Sequence, residues 1–137
     1  MSMKRSSAKA KGRKLQDWVR NKLIYYLTLS PKVIDIEGHI KCAIMGESGA
    51  DVQLTPSIIH LFPFSIECKN QEKFSGIYNI IDQATNHSRH PPIAFIKMNR
   101  RKPLVILEAD VFLDSWFKYE RENNLSLIHI SEPTRPY

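Results

Sequence analysis

A chain of 137 residues, 42% hydrophobic and 25% charged, has room for one globular domain with one moderate core. It holds no apolar run long enough to span a bilayer and no secretory pattern at its start, which argues against membrane and secreted classes. Two cysteines, Cys42 and Cys68, without metal-ligand spacing, point to a reduced, cytoplasmic protein.

The net charge of +6 has a location. Lys4, Arg5, Lys9, Lys11, Arg13 and Lys14 fall within residues 1–14, which hold no acidic residue; beyond them basic and acidic residues balance. Rich in Ser, Ala, Gly and Lys, residues 1–14 are expected to form a disordered basic arm. Such an arm suits loose contact with phosphates; a solubilising tail accounts for it equally well.

From Leu15 to Leu29, the apolar residues Leu15, Trp18, Val19, Leu23, Tyr26 and Leu27 recur at helical spacing. Pro31 is expected to end this helix. A first strand is expected around Ile40–Ile44, a glycine-bearing turn over Met45–Gly49 and a second strand at Asp51–Leu54. One helical turn through His60 leads to a third strand, Phe64–Lys69. Ser75 can cap a helix whose buried stripe is Ile77, Ile80, Ile81 and Ala84, ending at His90-Pro91-Pro92. Strands at Ile93–Met98 and Leu104–Leu107 flank the basic turn Asn99–Pro103. Asp110 is expected to cap a last helix that packs through Phe112, Leu113, Trp116, Phe117 and Tyr119. The order α-β-β-β-α-β-β-α predicts an α/β fold, a mixed sheet flanked by helices.

Strand alternation brings the chemistry together. In Phe64–Lys69 the residues Phe64, Ile66 and Cys68 share one face, and Ser65, Glu67 and Lys69 the other. In Asp51–Leu54, Asp51 and Gln53 oppose Val52 and Leu54. If the two strands are neighbours, about 4.8 Å apart, Asp51, Glu67 and Lys69 converge on one patch. Two carboxylates beside an amine are a known solution to phosphodiester hydrolysis. The carboxylates can hold Mg²⁺, the metal polarises the phosphate and acidifies a water, and the ammonium offsets charge. The backbone carbonyl of Cys68 lies between the two side chains and could add an oxygen. A bare E-x-K is also common as an exposed pair of little energetic weight.

At these residues the pattern becomes specific. Gly46-Glu47-Ser48-Gly49-Ala50-Asp51-Val52-Gln53-Leu54, followed by Phe62-Pro63-Phe64-Ser65-Ile66-Glu67-Cys68-Lys69-Asn70, resembles small phage-type nucleases of the PD-(D/E)XK superfamily. The resemblance runs from Arg13 to about Phe117 and departs at Ala50, where the superfamily name implies proline. It implies a restriction-endonuclease-like αβββαβ core over residues 15–124. It also implies metal ligation by Asp51 and Glu67, a catalytic role for Lys69, and Mg²⁺ (or Mn²⁺) as cofactor. Some members place a glutamine on the helix after the third strand, which singles out Gln83. The implied activity is a DNA endonuclease of phage recombination or repair, including Holliday-junction resolution, acting as a homodimer. A non-catalytic DNA-binding accessory protein on the same fold, or an RNA-directed nuclease, are the alternatives.

Lys97, Arg100, Arg101 and Lys102 could grip DNA backbone, and His87 could contact phosphate; a charged hairpin tip and a helix-end histidine are the simpler readings. Asp17 and Glu47 could each reach a metal, but exposed positions suit them better. Residues 125–137 include LSLIHISEPTR, which resembles the translation of a transposase adapter used in sequencing libraries. They are expected to be non-native, and His129 is therefore not a candidate ligand.

Overall fold

The computed structural model describes residues 2–29, 36–44 and 49–123. In chain order it contains α1 Ser2–Thr28, β1 Ile40–Cys42, β2 Val52–Leu54, a 3-10 turn Ile59–Leu61, β3 Ser65–Asn70, α2 Ile77–Asn86, β4 Pro92–Lys97, β5 Leu104–Leu107 and α3 Ala109–Asn123. The five strands form one mixed sheet in the order β1-β2-β3-β4-β5. Only β3 and β4 run parallel, and α2 is the crossover that parallel neighbours require. The α/β class and the order of elements agree with the expectation.

Chain alternation sorts the sheet into two faces. Ile66, Cys68 and Ile93 join Leu15, Val19 and Leu23 of α1 in one buried cluster, together with Ile40, Val52 and Ile58. On the opposite face Ala94 and Ile96 pack with Ile80 and Ile81 of α2. The apolar stripes of the helices therefore settle on different sides of β3 and β4. Ser65 strengthens the second contact: its buried hydroxyl donates to the Ala84 carbonyl of α2 at 2.6 Å.

Several local expectations need correction. Helix α1 begins at Ser2, so residues 2–14 are helical and not a disordered arm. Alanine, lysine and arginine are good helix formers, and a helix anchored at Leu15 propagates cheaply towards its N-terminus. It ends at Thr28, before Pro31, which lies outside the described residues together with the turn residues Met45–Ser48, hence Glu47. Helix α2 takes Gly76 as its N-cap without a side-chain hydrogen bond, so Ser75 does not cap it. Asp110 lies in the first turn of α3 instead of capping it, because the helix starts one residue earlier. Trp18 and Tyr26, expected to pack, are 39% and 62% exposed.

The chain divides into two compact units, residues 1–107 and 108–137, where one domain was expected over 15–124. The first holds the sheet, α1 and α2. In the second, α3 carries Phe112, Leu113, Trp116 and Phe117 at helical spacing, and all four are exposed where packing was expected. The tail 125–137, including His129, lies outside the described residues. Among the described residues no helix is long and apolar enough to cross a membrane.

Candidate active site

Position in the sheet determines what Asp51 can reach. Val52 pairs with Ile66, and the pairing of β2 with β3 goes no further. Asp51 therefore stands where the next rung of the ladder would form. Its amide donates to the Ile66 carbonyl at 2.9 Å, and its carboxylate Oδ2 accepts the Cys68 amide at 2.8 Å. A side chain thus takes the place of a backbone partner on β3. Backbone groups of one strand residue point to the same side, so the Cys68 carbonyl faces the side that carries the Asp51 carboxylate.

Gly49 makes this approach possible. Its φ of +114° lies in a region that L side chains rarely adopt, and an added Cβ would come within 3.2 Å of Gln53 Nε2. Gln53 in turn donates from Nε2 to the Ala50 carbonyl at 3.0 Å. The segment before Asp51 is held by its own strand.

Glu67 is the carboxyl at the centre. It is 5% exposed and lies on the α2 face of β3, between residues that pack on α1. Lys69 Nζ stands 3.9 Å from its Oε1 and His87 Nδ1 3.5 Å from its Oε2. Oε2 is buried and has no hydrogen-bond partner. Burial, then the Asp51 charge and a hydrogen bond with Asp51, push the Glu67 carboxyl up to about 8, while Lys69 pulls it down. A buried carboxyl and a half-buried carboxylate are crowded together where screening by water is reduced.

An oxygen-seeking cation fits this arrangement. The orphaned Oε2, the neighbouring Asp51 carboxylate and the Cys68 carbonyl are hard donors of the kind Mg²⁺ and Mn²⁺ accept. Among the described residues no group of three or more His, Cys, Asp and Glu side chains is set to hold a metal, so water would complete the shell. The cysteines belong to other tasks. Burial raises the Cys68 thiol well above its ordinary range. Cys42 is pushed up to about 11, first by burial and then by its hydrogen bond to Asp17, at 3.5 Å. Asp17 is thus engaged by β1 and not by the carboxylate pair.

The remaining candidates divide. His87, the C-cap of α2, reaches Glu67, closer to the centre than a phosphate contact alone suggests. Gln83 is exposed on α2 and makes no hydrogen bond with Asp51, Glu67 or Lys69. A cleft of about 520 Å³ opens beside Ala50 and His87, neighbours of the two carboxylates, with Gln53 and Arg89 on its wall. Lys97 and Arg100 line a separate groove against α1, while Arg101 and Lys102 line a smaller hollow on the β4–β5 turn. Sequence reasoning missed the part α1 takes in that groove, through Lys11, Lys14 and Trp18. An aromatic residue amid lysines on a helix was the available signal. No family model matches this chain, and no curated protein or solved structure matches it either.

Proposed function

We propose that this chain is a metal-dependent DNA endonuclease of the PD-(D/E)XK type, built on a restriction-endonuclease-like core. The observation that carries the reading is the buried carboxyl of Glu67, whose Oε2 makes no hydrogen bond among the described residues, crowded by Asp51 and flanked by Lys69 and His87. A structural ion pair has no need of a second carboxylate, half-buried beside the first. A cation-binding pair does.

Asp51, Glu67 and the Cys68 carbonyl would hold Mg²⁺, or Mn²⁺ in its place. When bound, the ion polarises the scissile phosphate and makes a water nucleophilic at neutral pH. The chain's own groups do the rest. The Cys68 amide locks the Asp51 carboxylate in one orientation. The Lys69 ammonium, on the same face as Glu67, orients the attacking water and offsets the negative charge that develops on the phosphoryl oxygens. His87 Nδ1, 3.5 Å from Glu67 Oε2, can hold a proton beside the carboxylates. The bond between Ser65 and Ala84 fixes α2 against β3 and so places His87.

Phage recombination or repair, with Holliday-junction resolution by a homodimer, is the biological setting we propose, resting on the resemblance of the Asp51 and Glu67 segments. The test is cleavage of a panel comprising plasmid, linear duplex, single strand, four-way junction and structured RNA, with Mg²⁺ or EDTA, beside Lys69→Ala. Cutting that needs metal and disappears in the variant is the expected result. Binding without cutting in both Mg²⁺ and Mn²⁺ would overturn it in favour of an accessory DNA-binding protein.

A further inference from the structure

The face of the sheet opposite the carboxylates carries a second feature. Between α1 and the β4–β5 turn runs a groove of about 550 Å³, within the range of sites that enclose a small molecule. Lys11 and Lys14 line it from α1, Lys97 and Arg100 from the sheet side, and among the described residues no acidic one lines it. Among the described residues no ion pair engages any of these four cations. Like charges held together without counter-charge invite an anion.

Trp18 lines the same groove and is 39% exposed. A large aromatic residue on a charged helix would ordinarily be turned into the core. Here Leu15 and Val19 occupy the core positions and leave the indole outside. Lys22 Nζ sits over the ring, 5.5 Å from its centroid, occupying one face. Asn70 ties the groove together, donating from Nδ2 to the Lys11 carbonyl at 3.5 Å.

Arg100 adds an independent sign. Its φ is 62°, a left-handed conformation that is unusual for a residue with a side chain. The Arg101 amide closes the turn on the Met98 carbonyl at 3.2 Å. Glycine or asparagine would serve such a turn with less strain, so arginine is retained there at a conformational cost. Its charge lines the groove.

We infer that this groove binds an unpaired nucleotide segment of a nucleic acid, with Lys11, Lys14, Lys97 and Arg100 on its phosphates and a base stacked on Trp18. A base inside a duplex is already stacked on both sides and cannot lie against an indole, so the aromatic wall selects single strands. The inference goes beyond the cleavage reading, and it also locates the unpaired strand relative to the cut. Lys69 and Asn70 are consecutive and point to opposite faces of β3. A strand passing over the end of β3 can therefore leave the carboxylates and enter the groove, a distance of about 10 Å along three strand residues.

Binding is tested on the full chain in EDTA, where no cleavage occurs, so the result does not depend on whether the chain is a nuclease. Fluorescence polarisation compares a labelled oligothymidylate with a blunt duplex of equal length, for wild type, Trp18→Ala, Trp18→Phe and Arg100→Gly. Tighter binding of the oligothymidylate is expected, weakened about tenfold by Trp18→Ala and largely retained by Trp18→Phe. Arg100→Gly should weaken binding while raising the melting temperature. Equal affinity for duplex and single strand, or an unchanged affinity in folded Trp18→Ala, would overturn the inference. Should Trp18→Ala unfold, Trp18 emission in a Trp116→Phe background decides. Quenching by oligothymidylate sustains the stacked base, and emission that stays unchanged at saturation removes it.

Discussion

Glu67 resists ionisation because burial and Asp51 both oppose its charge, and its carboxyl is raised from 4.5 to about 8. A carboxyl with a higher affinity for protons in the folded state than in the unfolded state favours folding while it is protonated. That contribution is complete below pH 4.5 and is lost as pH rises through about 8. Metal-free protein should therefore lose stability across this window. Glu67→Gln, neutral and of the same shape, should flatten the slope, raise the melting temperature in EDTA at pH 8 and abolish cutting. Thermal melts at several pH values check the first two, and a wild-type profile flat from pH 5 to 8 would refute the assignment. At Gly49 the strain runs the other way. Gly49→Ala should cost about 1–3 kcal/mol in chemical denaturation, because an L residue is strained at its positive φ and the methyl group would press on Gln53 Nε2 at 3.2 Å.

At the scale of elements, the parallel pair β3 and β4 governs the geometry, since it carries residues of both faces and a helix on each. Ile66 is fully buried against α1, and Ile66→Ala should destabilise the fold by about 2–5 kcal/mol in urea denaturation. Ser65 acts on the other face. Removing its hydroxyl with Ser65→Ala takes one hydrogen bond from the Ala84 carbonyl, which keeps the His87 amide, a loss of about 0.5–1.5 kcal/mol. The same substitution should reduce cleavage by more than it reduces binding, because His87 lies one turn beyond Ala84 and depends on the seating of α2.

For the molecule as a whole, a cation that binds the folded site and not the unfolded chain must stabilise it by mass action. Mg²⁺ should raise the melting temperature of the wild type at pH 8, more than it does at pH 5, where protons compete for Glu67. Glu67→Gln should show little of this increase. The sheet and both of its buried clusters lie within residues 1–107, a unit compact by itself. That fragment should melt cooperatively without residues 108–137, as followed by circular dichroism.

Much of this was legible in the residues. The period of two in β3 announced which side chains share a face, and the covalent chain guarantees that alternation wherever a strand forms. Alternation alone therefore sets Glu67 and Lys69 side by side, and the helical stripe identifies α2 through Ile80, Ile81 and Ala84, although Ile77, expected in it, is exposed at the first turn. The order of the elements likewise favoured a helix-flanked sheet. Tertiary structure alone decided what depends on register and on through-space charge. The pairing of Val52 with Ile66 brings Asp51 beside the Cys68 amide, and a slip of one residue would have turned it to the other face. The raised affinity of Glu67 for protons follows from burial and a neighbour sixteen positions away. So does the groove that unites Lys14 and Trp18 with Lys97 and Arg100 depend on remote segments meeting. Distances between segments remote in sequence arise only when apolar faces pack, and no local pattern contains them.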